Sequence, residues 1–297
     1  MQRKILYLIN PIAGTEKKEN LEVLLSVKTT ARNIHYKIVR TPDDGAYGHI
    51  EAEARSGQYT DVCICGGDGT VNEVVQALAH LPVCFSIIPY GSGNGLAYSA
   101  GIPKNALKAL QLVFDGKPTQ TDAFMINGSF ACMLAGLGLD ARVAADFAKQ
   151  KSRGLLTYAR LTIKAFLNAK SYRFEVTEKD RSWEVDAMLM TISNSNQFGN
   201  QFTIAPRASL NDGLLDVVAI KKMPKWLFLL SAAKQLMRGE VQEIGSTDKR
   251  RVIYFQTSRL RIINKDLAPF HIDGDPRPTP TELKIEILPK YFKLIHG

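Results

Sequence analysis

The chain has 297 residues, 45% hydrophobic and 23% charged, with 13 Pro and 22 Gly; the length suits about two domains of ~150 residues, and the composition excludes a disordered, collagenous or coiled-coil protein. The greasiest segment, Trp226 to Leu230, falls far short of the ~18 apolar residues of a membrane span. With 38 Lys+Arg against 29 Asp+Glu, the formal charge is +9, which suits nucleic acid, an acidic membrane face or phosphorylated substrates.

The apolar run Ile5 to Ile9 behind Arg3-Lys4 stops at Asn10-Pro11 with no small-residue cleavage site after it, so it reads as a first buried strand (Lys4 to Ile9) and not as a secretory signal. A helix over Glu16 to Lys28, a strand over Asn33 to Arg40 and a helix over Asp44 to Ser56, opened by Thr41-Pro42-Asp43, follow. Strands over Asp61 to Cys65 and Val83 to Ile88 flank a helix over Val71 to Ala79. Such alternation predicts βαβ units and a parallel sheet, with ligands at the carboxyl ends of the strands.

After Thr121 the texture changes to strand-like runs with polar turns: Met125 to Gly136, Tyr172 to Thr177, Trp183 to Ile192, Leu214 to Ile220, Val252 to Gln256, Leu260 to Ile263, Phe270 to Asp273 and Leu283 to Leu288. Helical patterns cover Asp140 to Ala148, Leu155 to Ala169 and Pro224 to Met237. The expectation is an α/β domain over residues 1–121 and an antiparallel, β-rich sandwich domain over 122–297. Cys63, Cys65, Cys84 and Cys132 have no metal spacing, and they read as small buried thiols of a reducing cytoplasm. His35, His49, His80 and His296 likewise show no metal or triad spacing.

The sharpest feature is Gly66-Gly67-Asp68-Gly69-Thr70, between a buried strand and a helix start. Glycines let backbone N–H groups approach an anion, and a helix N-terminus favours negative charge, so the pattern predicts a phosphate cradle with Asp68 as a possible holder of Mg²⁺. A plain turn needing φ > 0 would account for Gly66 and Gly67 but not for the acid, third glycine and threonine. The Walker A run and GxGxxG are both absent from this segment. A second loop, Pro89 to Ala97, carries Gly91-Ser92-Gly93-Asn94, with Ser92 and Asn94 as side-chain donors.

With Asn72-Glu73, Gly136-x-Gly138-x-Asp140-Ala141, Ala205-Pro206 to Asn211-Asp212-Gly213-Leu214-Leu215-Asp216 and Asp273-Gly274-Asp275, these loops stand in an order that resembles the lipid kinase family: bacterial diacylglycerol kinases, YegS-like proteins, sphingosine kinases and ceramide kinases. The resemblance covers nearly the whole chain. It implies a nucleotide domain similar to phosphofructokinase and NAD kinase, a β-rich lipid domain, and last residues that return to the first domain. It also implies ATP and Mg²⁺ as cofactors, and transfer of phosphate to a lipid hydroxyl.

Carried onto this chain, the resemblance puts Asn10, Gly66, Gly67, Asp68, Gly69, Thr70, Gly91, Ser92, Gly93, Asn94 and Asp275 around ATP, Asp68 in catalysis, Asp273 as general base, and Asp212 in a structural Mg²⁺ loop. Asp275 departs from the family's usual glutamate, and Ser92-Gly93-Asn94-Gly95 is closer to the sphingosine-kinase form than to the diacylglycerol-kinase one. On their own residues, Asp273 reads equally as a turn former bonding its own backbone, and Asp140 as a helix N-cap instead of a contact to a lipid headgroup. Asn194-Ser195-Asn196 and Gly199-Asn200 divide between turns and substrate binding. Lys221, Lys222 and Lys225 beside Trp226 to Leu230, and Lys149, Lys151 and Arg153 beside another helix, suit either docking on anionic lipid or a solvated helix face. The expected partners are therefore a lipid substrate and an anionic membrane surface touched peripherally from the cytoplasm, with no nucleic acid and with a homodimer left open. The alternatives are a soluble-metabolite kinase of the NAD-kinase type, and a lipid- or nucleotide-binding relative without catalysis, for which Asp275 is the best argument.

Overall fold

The computed structural model describes residues 2–14, 18–150, 155–197, 203–222 and 251–297. The predicted helix Pro224 to Met237, with Lys225 to Leu230, and Lys151, Arg153 and Gly199-Asn200, lie outside them. The chain forms two compact units, Met1–Thr121 with Lys290–Gly297, and Asp122–Pro289.

In the first unit, β1 (Lys4–Ile9), β2 (His35–Arg40), β3 (Asp61–Gly66) and β4 (Cys84–Pro89) run parallel in the order β2-β1-β3-β4. The end of the last strand of the chain, β16 (Glu282–Ile295), lies parallel beside β4 with Leu294 opposite Phe85. β3 is buried at every position, as a parallel strand covered on both faces must be, which is why it reads as an unbroken apolar run. The helices are α1 (Lys18–Thr30), α2 (Gly48–Ser56), α3 (Asp68–Leu78), α4 (Gly95–Ser99) and α5 (Ala106–Asp115). α2 starts four residues later than predicted. Asp44 accepts the Ala46 N–H at 3.0 Å and Gly45 takes φ +71°, so the expected opening of the helix is a turn. α3 starts three residues earlier, which places Asp68, Gly69 and Thr70 in its first turn.

The second unit holds two antiparallel sheets. In one, residues 282–286 of β16 pair with β13 (Arg259–Asn264), β13 with β8 (Tyr172–Glu178), and β8 with β9 (Arg181–Ala187). The other has six strands in the order β12 (Val252–Thr257), β11 (Leu215–Ile220), β10 (Leu189–Ser193), β7 (Leu134–Gly138), β14 (Phe270–Ile272), β15 (Asp275–Arg277). Phe174, Val176, Leu260, Ile262, Leu283 and Ile285 of the first sheet share one core with Leu137, Met190, Ile192, Val217 and Phe270 of the second. Burying each such side chain is worth roughly 1.5–3 kcal/mol against exposure. Val217 and Ala219 face that core, whereas Val218 and Ile220 pack with α6 (Leu139–Ala148) and α7 (Leu155–Leu167) residues Leu139, Val143 and Phe166. β11 is therefore apolar on both faces, and the expectation of an antiparallel sandwich holds.

Two predicted single strands are broken. Met125 to Gly136 divides into β5 (Pro118–Ile126), β6 (Ser129–Ala131) and β7, because Asn127 (φ +49°) and Gly128 (φ +82°) make a two-residue hairpin loop with Ile126 opposite Ser129. Both left-handed positions and the Asn-Gly pair mark the type I′ loop, whose twist matches the strands it joins. Trp183 to Ile192 divides at Met188, where the chain passes from one sheet to the other, a crossing that a continuous strand-like pattern does not reveal. All four cysteines are free thiols, and no helix among the described residues is long and apolar enough to cross a membrane.

Candidate active site

Register puts the ends of β1, β3 and β4 at one edge: Ile9 pairs with Cys65, and Gly66 with Pro89. The loops that leave this edge are joined to one another. Asn10 donates from its backbone N–H to the Cys65 carbonyl (3.0 Å) and from Nδ2 to Thr70 Oγ1 (2.7 Å), while its Oδ1 accepts the Ile12 N–H. Asp68 splits its carboxylate between the first two N–H groups of α4, Gly95 to Oδ2 (3.0 Å) and Leu96 to Oδ1 (3.2 Å). It thus satisfies two of the donors a helix start leaves without partners. Asn94, left-handed at φ +54°, folds back to accept the Gly91 N–H and donate to the Gly91 carbonyl, each at 2.8 Å. Ser92 and Gly93 lie half-buried inside that closed turn.

The glycines act here by what they lack. Gly66 and Gly67 are absent from the positive-φ residues, which corrects the reading of a turn that needs φ > 0. A Cβ on Gly91 would meet Gly67 Cα at 2.4 Å, and one on Gly66 would meet Thr70 Cβ at 2.7 Å. Two loop backbones therefore lie in contact beside the N-terminus of α3, whose first N–H groups have no acceptor within the helix; such an edge suits a phosphate chain. Gly91→Ala forces backbone apart from backbone, and overpacking of this kind costs roughly 1–3 kcal/mol. The expected result is a lower melting temperature and ATP binding weakened at least ~10-fold, checked by thermal unfolding and calorimetric titration with ATP.

In the second unit, Asp273 is buried, and its carboxylate accepts the backbone N–H groups of Cys132 (3.0 Å, Oδ2), Met133 (3.1 Å, Oδ1) and Leu134 (2.8 Å, Oδ1), with the Cys132 thiol 3.6 Å from Oδ2. The same segment is held from its other side. Asn194 and Ser195 donate their backbone N–H groups to the Met133 carbonyl, and Asn194 Nδ2 reaches the Cys132 and Asp122 carbonyls. Asp273 and Asn194 are thus brought together on residues 132–134. Asp273 (φ +48°) and Gly274 (φ +88°) form a second type I′ loop, with Ile272 opposite Asp275. The side chain spans 141 residues of sequence to Cys132.

Asp140 is not an N-cap. Gly138 holds that position at φ +87°, and Asp140 sits buried in the first turn of α6, accepting Thr191 Oγ1–H at 3.1 Å. Asp275 is exposed on β15. Asp212 is exposed and accepts the Leu214 N–H, while the loop around it is tied down by the buried Asp122, which takes the Gly213 N–H at 2.7 Å. Near it, burial pushes the Asp216 carboxyl above its ordinary pKa and the hydroxyl of Tyr254, which donates to it, above its own. Asp122, Thr191 and His271 escaped the reading of the sequence, and Asp216 entered it only as the end of a motif, with no role assigned. The signal for three of them was available, since Asp216, Thr191 and His271 are polar positions inside runs that are otherwise buried on both faces. Among the described residues no three His, Cys, Asp or Glu side chains converge as a metal cage.

Two family models match the chain in succession. A model described as the diacylglycerol kinase catalytic domain matches residues 4–126, and one described as the YegS C-terminal NAD kinase beta sandwich-like domain matches residues 134–296. The chain is 27% identical over 279 residues to a diacylglycerol kinase of Bacillus subtilis, covering 92% of this chain and 89% of that one. It is 29% identical over 292 residues to a probable lipid kinase YegS-like of Pectobacterium atrosepticum, covering 96% and 93%. A crystal structure of a putative diacylglycerol kinase from Bacillus anthracis superposes with a TM-score of 0.82 over 99% of this chain and 97% of that one, at 22% identity, and so shares the fold. With both family domains present, in order, over nearly its full length, the chain belongs to the family of diacylglycerol kinases and YegS-like lipid kinases.

Proposed function

We propose that this protein transfers the terminal phosphoryl group of ATP to the hydroxyl of a membrane lipid, a diacylglycerol-like or sphingoid-type acceptor. The observation that carries the reading is the meeting of three loops at one sheet edge, with Gly67 and Gly91 too close for any side chain. Phosphoryl transfer asks mainly for positioning and charge stabilisation. Asn10, Gly66, Gly67, Gly69, Thr70, Gly91, Ser92, Gly93 and Asn94 would hold the phosphates, and Asp275 the nucleotide. Asp273 would take the proton from the lipid hydroxyl, with Asp140 and Asn194 serving the acceptor's side. One donor on the Asp273 carboxylate is a thiol, a weak partner that can turn away and release a lone pair.

Mg²⁺ is held in kinases by substrate phosphates, water and one or two carboxylates, without a dedicated cage. The donor set fits: Asp68 is a carboxylate in the first turn of α3, beside the loops that meet at the sheet edge, and carboxylate oxygens are ligands of the kind Mg²⁺ takes. Asp68 would hold the hydrated ion, which supplies neutralisation of phosphate charge when bound. Asp212 would hold a second, structural ion. A formal charge of +9 would draw the protein to an anionic bilayer, and the cytoplasmic face is where ATP is.

The test is transfer of labelled phosphate from ATP to diacylglycerol, sphingoid base, ceramide and polyprenol in vesicles, with NAD alongside. One lipid should be labelled in a Mg²⁺-dependent way, with a rate that rises with anionic lipid and falls with salt, as screening over a Debye length of ~8–10 Å requires. Labelling of NAD alone would move the protein to a soluble-metabolite kinase, and no labelling at all would leave a binding protein.

A further inference from the structure

His271 is buried among groups that leave its ring little freedom. Its Nδ1 lies 3.2 Å from the Gly274 N–H, which points at it, so Nδ1 must present a lone pair and a ring proton must sit on Nε2. Nε2 is itself buried without a well-formed hydrogen bond, and the group it faces is Asp140 Oδ2 at 3.4 Å. Asp140 is fixed in turn by the Thr191 hydroxyl and the Ala141 N–H. Space for this pair exists because position 136, opposite His271 on β7, is a glycine. A Cβ there would fall 1.8 Å from Asp140 Oδ2 and 2.6 Å from His271 Nε2.

From these contacts we infer that His271 is a positioning residue of the kinase reaction, a rigid strut by which Asp140 holds the Asp273-Gly274 turn. The inference rests on the lipid-kinase reading for its consequence in catalysis. The turn needs a strut because both its residues take left-handed backbone angles, while the Asp273 carboxylate must keep its place on residues 132–134. With Gly274 held by Nδ1 on one side and Asp273 held by three backbone N–H groups on the other, the turn cannot rotate without breaking one of the two sets. Asp140 then serves the acceptor's side through the ring, with its carboxylate directed into the protein.

Two replacements separate the arms of the ring. Asparagine can place an oxygen near the Nδ1 position and nothing at Nε2; glutamine reaches the Nε2 position and offers no acceptor at Nδ1. In His271→Gln the Gly274 amide should exchange with solvent ~10-fold faster or more. The kcat on lipid vesicles should fall ~10–100-fold with the KM for ATP unchanged, since small misplacements remote from the chemistry cost that much. In His271→Asn, which keeps an acceptor for the Gly274 N–H but loses the tie to Asp140, the Gly274 amide should stay largely protected and kcat should fall by a smaller factor, ~3–10-fold. Equal losses in the two variants that follow their melting temperatures, or no change in either, overturn the inference. If both variants fail to fold, the imidazole nitrogen shifts of ¹⁵N-labelled wild-type protein decide: an unprotonated Nδ1 at His271 supports the strut and a protonated one overturns it. Absence of any lipid phosphorylation by the wild type would end the lipid-kinase reading alone, and amide exchange and the ring nitrogens would still report whether Gly274 is held.

Discussion

Asp273→Asn should lower kcat for lipid phosphorylation by about 10²–10⁴-fold, roughly 3–5 kcal/mol in the barrier, while ATP binds as before. An alcohol is a poor nucleophile at neutral pH, and an amide cannot take its proton. The same replacement has a structural cost that can be told apart. The wild-type carboxylate accepts three backbone N–H groups on its two oxygens. Asparagine keeps one oxygen and turns an NH₂ towards at least one N–H, leaving a buried donor unpaired at a cost of roughly 1–3 kcal/mol. The variant should therefore unfold at a lower temperature as well as turn over slowly. The paired measurement is kcat below that temperature with equilibrium ATP binding. A less stable variant that keeps its turnover would make Asp273 an anchor for residues 132–134, and loss of ATP binding would move it to the nucleotide side.

The second large effect is expected at Asp68. Asp68→Asn leaves one acceptor for the two N–H groups of Gly95 and Leu96. Hydrogen bonds to a charged group are worth ~1.5–3 kcal/mol, and α4, five residues long, has no side-chain cap of its own at Asn94. The loop of Gly91 to Asn94 should loosen and ATP binding weaken by ~10–100-fold. Turnover at saturating ATP should fall further still if Asp68 holds the hydrated Mg²⁺ as proposed, because the replacement also removes that carboxylate. Turnover near wild type at saturating ATP and Mg²⁺ would leave Asp68 a cap and nothing more.

Legibility followed the range of the interactions. β1, β3 and β4 were readable because a parallel strand buried on both faces is an apolar run, and the loop after β3 because glycine, acid and threonine cluster at a helix start. The Asn127-Gly128 hairpin is equally local, yet it sits inside a stretch, Met125 to Gly136, whose pattern reads as one strand. Asp68 stood out in its glycine loop, but not as the cap of a helix 27 residues ahead.

By itself the sequence determined which backbone groups would turn, where strands and helices alternate, and the order of glycine and acid motifs along the chain. These depend on sterics and hydrogen bonds within a few residues. Only the tertiary structure decided that Gly67 and Gly91 touch, that the carboxylate of Asp273 serves residues 132–134, and that His271 lies between Asp140 and Gly274. Each of these depends on how neighbouring strands pair, β3 with β4 and β7 with β14, where a change of register by one residue turns a side chain to the opposite face. Register is set by the packing of whole strands over a shared core, so residues far apart in the chain acquire partners that no local pattern records.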